Sequence, residues 1–113
     1  MQQTKDISLR AISLQNLGNL YNRVGELQTA KRLLTQSVTL SRQIHNTALE
    51  SQGLLSLGNI ERSTAKQAEV LNYPEQVQRS HTAALQHYQQ VAAIAPELLM
   101  YLKIKLIGQL LIS

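Results

Sequence analysis

The sequence predicts an all-α protein of about five helices arranged as antiparallel pairs. Three observations predict it. Proline occurs only at positions 74 and 96 and glycine only five times, so long stretches are free of helix breakers. Apolar residues recur at steps of three and four, the spacing of one helix face, and no strand-like alternation is sustained. The triplet Leu-Gly-Asn appears twice, as Leu17-Gly18-Asn19 and Leu57-Gly58-Asn59, and the regular offset between the two copies marks a repeated unit.

The elements follow in order. Leu9, Ile12, Leu14, Leu17, Leu20, Tyr21 and Val24 form the stripe of a first helix. Gly25-Glu26 is a short break suited to a tight helix-helix connection. Leu27, Ala30, Leu33, Leu34, Val38, Leu40 and Ile44 form a second stripe, so the first third of the chain reads as a helical hairpin. A second break at His45-Asn46 opens a third helix through Leu49, Leu54, Leu57 and Ile60, and Thr64, Ala68 and Leu71 continue its stripe. Asn72-Tyr73-Pro74 is the expected turn, with helix restarting near the proline. Val77, His81, Ala84, Tyr88, Val91 and Ala95 then step by four and three along a fourth helix. After Pro96 an apolar fifth helix repeats the glycine pattern with Ile104, Ile107, Gly108 and Leu111. The expected units are residues 7–45, 47–96 and a partial 98–113, a chain that looks cut from a longer array.

A glycine inside a helix costs about 1 kcal/mol against alanine, so a repeated one needs a packing reason. Losing Cβ lets a neighbouring helix approach closely, and the expected partner of Gly18 is Ala30 on the returning helix. In the second unit the corresponding small residue is Ala84. The step from Gly58 to Ala84 is fourteen positions longer than the step from Gly18 to Ala30, so the second unit carries an insertion. Seven positions added to each helix, about two turns, would preserve the packing face and make a protruding hairpin. A long loop would be unusual in so small a domain.

The pattern Leu14, Leu17, Gly18, Tyr21, then Ala30, Leu34, Ser37, resembles the tetratricopeptide repeat. Ser37 stands for the usual alanine, and Arg42 stands where a proline is usual, as in the forty-residue variety of kinesin light chains and Pins-type adaptors. The second unit departs further, with Glu61 in place of the expected aromatic. Residues 54–112 also resemble the repeat region of cyanobacterial CHAT-domain proteins. The resemblance implies an α-solenoid fragment, a scaffold that binds a peptide or partner protein on its concave face. In the adaptors the asparagine after the glycine contacts the bound peptide, which implies that role for Asn19 and Asn59. Gln15, Asn22 and Arg23 share that surface, and Gln52 and Arg62 repeat it. Amides pair with any peptide backbone, and arginine forks onto carboxylates. The alternative for the asparagines is hydrogen bonding between units, and for the whole chain a spacer or oligomerisation segment.

Other classes have little support. The formal charge of +4 is spread over eleven Lys and Arg with no basic run and no interleaved aromatics, so a nucleic-acid-binding helical repeat stands only as a third alternative. The chain has no cysteine, hence no thiolate nucleophile or Cys-based metal site. His81 and His87 do not share a helical face, and His81 is expected to pack within the apolar seam. No nucleophile motif, phosphate loop or carboxylate pair is present, so neither catalysis nor a cofactor is expected. The N-terminus lacks a signal-peptide core, and the C-terminal apolar run carries Lys103 and Lys105, so a soluble, cytoplasmic protein is expected. The apolar C-terminal helix, with one face expected against the helix of Tyr88 and Val91, is expected to pair two copies in a homodimer.

Overall fold

The computed structural model describes residues 2–112 and is all helical, with no strand among the described residues. The helices are α1 (Gln2–Arg23), α2 (Leu27–Gln43), α3 (Thr47–Val70), α4 (Pro74–Ile94) and α5 (Pro96–Ile112). The pairs α1/α2 and α3/α4 are hairpins, α2 packs on α3 to join them, and α1 also touches α3. The core runs through Leu27, Ala30, Leu34 and Val38 of α2, Leu54, Leu57 and Ile60 of α3, and Val91 of α4.

Three turns share one geometry. In each, a left-handed residue follows the helix: Gly25 (φ 84°), His45 (φ 55°) and Asn72 (φ 62°). The next amide bonds back to a carbonyl five positions earlier: Glu26 to Tyr21 at 2.9 Å, Asn46 to Ser41 at 2.9 Å, and Tyr73 to Ala68 at 2.8 Å. This is the Schellman closure, which satisfies orphan carbonyls and reverses the chain within a few positions. Helix restarts at once, capped at α3 by Asn46 Oδ1 accepting from the Leu49 amide at 3.0 Å, and at α4 by Pro74 in the first turn. The link from α4 to α5 differs. Only Ala95 separates them, extended (φ −147°) as the following proline requires.

The repeated glycines sit at helix crossings. A Cβ on Gly18 would stand 2.7 Å from Leu34 Cγ and 3.3 Å from the Ala30 carbonyl oxygen. A Cβ on Gly58 would collide with the Tyr88 ring, 2.7 Å from Cζ. The expected partner Ala30 does face the glycine, through its backbone carbonyl, but the closer neighbour is the large side chain of Leu34 one turn later. The contact recurs between Gly58 and Tyr88 with the same fourteen-position insertion relative to Gly18 and Leu34. The inserted segments are helical. Relative to its glycine, α3 runs on seven positions further than α1 does, to Val70 against Arg23. Relative to the residue that fills the gap, α4 starts seven positions earlier than α2 does, at Pro74 against Leu27. Each helix thus gains seven, which turns its face by only about 20°. Gly53 makes a further close approach, its absent Cβ lying 2.7 Å from Val38 Cγ2 of α2.

One further expectation is corrected. His81 is exposed rather than packed in the seam, and its neighbour Ser80 is the buried residue, bonded to Gln76 Nε2 at 2.9 Å. Among the described residues α5 packs, as expected, on α4 and on no other helix, and its glycine, Gly108, has nothing within 4 Å of a Cβ position. Met100, Tyr101, Ile104 and Ile107 are each more than half exposed. Leu111, the last apolar position of the expected third unit, has its side chain outside the described residues, and Ser113 lies outside them as well. Among the described residues no helix is long and apolar enough to cross a membrane.

The contrast between glycines is testable. Gly18→Leu should lower the unfolding free energy by about 1–3 kcal/mol through overpacking against Leu34. Gly108→Ala, in open space, should raise it or leave it unchanged, since alanine is the better helix former by about 1 kcal/mol. Chemical denaturation of both variants measures the difference.

Candidate functional site

The two hairpins lie so that α1 and α3 run side by side and present a shared polar surface. Gln15 of α1 is half-buried and donates from Nε2 to Gln52 Oε1 of α3 at 3.3 Å, a direct link between units. About two to four turns further along, Asn22 of α1 joins Asn59, Arg62, Ser63 and Lys66 of α3 around an open recess of about 220 Å³. The structure thus brings together five of the seven candidate residues: Gln15 with Gln52, and Asn22 with Asn59 and Arg62. Asn19 is half-buried on α1 and Arg23 is exposed at its end, and neither lines the recess.

Asn59 is held from the opposite side. The Tyr88 hydroxyl of α4 donates to its Oδ1 at 2.9 Å, while the Tyr88 ring fills the space left by Gly58. One residue thus closes the α3/α4 crossing and fixes an amide at the rim of the recess. Among the described residues Asn22 Oδ1 and Gln15 Oε1 are buried without a hydrogen-bond partner, at an energetic cost. The recess has no carboxylate in its lining and carries two cations, Arg62 and Lys66.

Sequence reasoning missed Ser63, Lys66 and Tyr88. Ser63 and Lys66 were findable, because they continue the face of Asn59 and Arg62 at helical spacing. Tyr88 is remote from Asn59 along the chain, on the next helix, and no local pattern connects them. A larger recess of about 460 Å³ lies at the hairpin tip, lined by Tyr73, Pro74, Glu75, Gln76 and Arg79, and shares no residue with the α1/α3 surface. Among the described residues no three His, Asp or Glu come close enough to hold a metal ion.

Glu61, the counterpart of Tyr21 in the first unit, is 4% exposed. Its Oε1 lies 2.9 Å from Lys31 Nζ of α2, in ion-pair contact rather than an aligned hydrogen bond. The lysine, half-exposed, ties α2 to α3 beneath the polar surface. Arg42 and Glu50 make a second tie across the turn, 2.7 Å between Nε and Oε2. A buried carboxylate that loses its partner destabilises the fold by up to several kcal/mol, less where the partner is hydrated. Lys31→Met should therefore cost about 1–2 kcal/mol in denaturation, and adding Glu61→Leu should recover most of it. Additive losses in the double variant would show that the two side chains act independently.

No protein-family model matches the chain, and a search of curated proteins likewise finds no match.

Proposed function

We propose that the chain is a protein-interaction module of the tetratricopeptide kind, which holds an extended peptide of a partner protein against the surface shared by α1 and α3. One observation carries this reading: amide and guanidinium side chains from two successive units converge there, at the Gln15–Gln52 bond and around the recess of Asn22, Asn59 and Arg62. Amides serve any peptide backbone as donor and acceptor, so they suit a ligand read mainly through its main chain. Asn22 buries its side-chain oxygen, which leaves its nitrogen to donate to main-chain carbonyls. Repeat scaffolds use such surfaces because adjacent units present equivalent side chains at a regular interval. The experiment is capture of a displayed random-peptide library by the intact chain. Asn59→Ala with Arg62→Ala should weaken the selected peptides roughly tenfold or more, the loss of two polar contacts, one of them charged. Undiminished binding by that folded variant would place the peptide elsewhere.

A second reading, an oligomerisation segment, is favoured by the exposed apolar residues of α5. Two copies pairing through Ile104 and Ile107 would cover them. Sedimentation at micromolar concentration should then give a dimer, and Ile104→Glu with Ile107→Glu a monomer. A monomeric parent chain contradicts this reading.

A further inference from the structure

Asn59 faces both the crossing of α3 with α4 and the recess between α3 and α1. Its Oδ1 accepts from the Tyr88 hydroxyl at 2.9 Å. Tyr88 is itself fixed in place, because its ring occupies the position a Cβ on Gly58 would take. A planar amide held at its oxygen has its nitrogen, with two N–H donors, left for other partners. The neighbours add to the same polarity. Arg62 and Lys66 can only donate. Asn22 buries its Oδ1, so its nitrogen is the end available to the recess. Ser63 donates its proton to the Asn59 carbonyl at 3.2 Å and alone keeps an accepting oxygen. Glu61, the nearest carboxylate in the sequence, is buried and paired with Lys31 of α2. The recess is a field of donors with a positive charge.

We propose that this recess selects an acidic stretch of extended peptide, and that Tyr88 is the positioning residue that sets the preference by holding Asn59 with its nitrogen toward the ligand. The proposal rests on the peptide-binding reading above. Backbone carbonyls accept from the amides, and Asp or Glu side chains accept from Arg62 and Lys66 in charge-assisted bonds. Tyr88 touches no ligand in this arrangement. It acts through Asn59.

The test uses the full chain and three fluorescent peptide pools of equal length, on a Gly/Ser background carrying Asp/Glu, carrying Lys/Arg, or uncharged. Anisotropy titrations are run on the parent chain, Tyr88→Phe and Asn59→Asp. The parent chain should prefer the acidic pool over the basic one by about tenfold or more. Tyr88→Phe keeps the ring over Gly58 and removes only the hydroxyl. It should weaken acidic-pool binding about threefold to tenfold, the worth of one hydrogen bond. Its helicity should be unchanged, and without any peptide the Asn59 side-chain amide resonances should shift. Asn59→Asp, which replaces the donor end by an acceptor, should abolish the acidic preference. Equal acidic-pool binding by the parent chain and Tyr88→Phe overturns the role of Tyr88. An acidic preference that survives in Asn59→Asp overturns the donor field, even if Tyr88→Phe does not fold. Binding of all three pools alike refutes the acidic preference and leaves the peptide-binding reading standing, whereas binding of none refutes both.

Discussion

The architecture depends on a single kind of contact, a large side chain set into the gap left by a glycine on the facing helix. Leu34 over Gly18 closes the first hairpin and Tyr88 over Gly58 closes the second. The contact fixes how far α2 slides along α1 and α4 along α3, because a shift of one position would turn a Cβ into the crossing. Everything outside the contact is then free to vary. The second hairpin carries two extra turns on each helix, yet its crossing is built like the first, a large side chain over a glycine. An insertion of seven per helix survives because it returns nearly to the same face, where five or nine would have turned it away.

Polar groups at the joins between helices supply direction. The Ser37 hydroxyl donates to the Ala11 carbonyl at 2.7 Å, so this serine ties α2 to α1 rather than merely filling space. Lys31 and Glu61 tie α2 to α3, and Gln15 and Gln52 tie α1 to α3. The exposed ends of the stack follow from the same repetition. Leu57 and Ile60 are 4% and 0% exposed beneath α2, while Leu17 and Leu20, their counterparts one unit earlier on α1, are 43% and 53% exposed. The residue types are alike, and the covering helix makes the difference. The candidate recess sits where two units meet, because there equivalent positions of successive helices face one common space.

Much of the fold was legible because its signals are local. Apolar stripes, the left-handed positions at Gly25, His45 and Asn72, and Pro74 at a helix start each act within a turn or two of the chain. The glycine spacing, compared between units, carried the insertion as well. What could not be read depends on distant partners. The stripe through Val77 and Ala84 did not distinguish Ser80 from His81, since adjacent helical positions differ by only about 100° and the depth of α3 decides which is covered. Glu61 stood out as a departure from its unit's pattern, but its partner, Lys31, belongs to the preceding unit and is far away along the chain. Of the candidate surface, the helices and the residue types were legible. The convergence of Asn22 with Asn59, and the hold of Tyr88 on Asn59, come only from packing.

The glycine contact is tested most directly by a double-mutant cycle at the second crossing. Gly58→Ala puts a methyl group against the Tyr88 ring, and Tyr88→Ala removes the ring. If the contact sets the crossing, Gly58→Ala should destabilise the parent chain by about 1–3 kcal/mol. In the Tyr88→Ala background it should cost nothing or stabilise, since the methyl then meets open space and alanine is the better helix former. That outcome is a coupling of at least about 1 kcal/mol in urea denaturation. Equal effects of Gly58→Ala in both backgrounds would mean that the glycine and the ring do not meet, and would contradict the account.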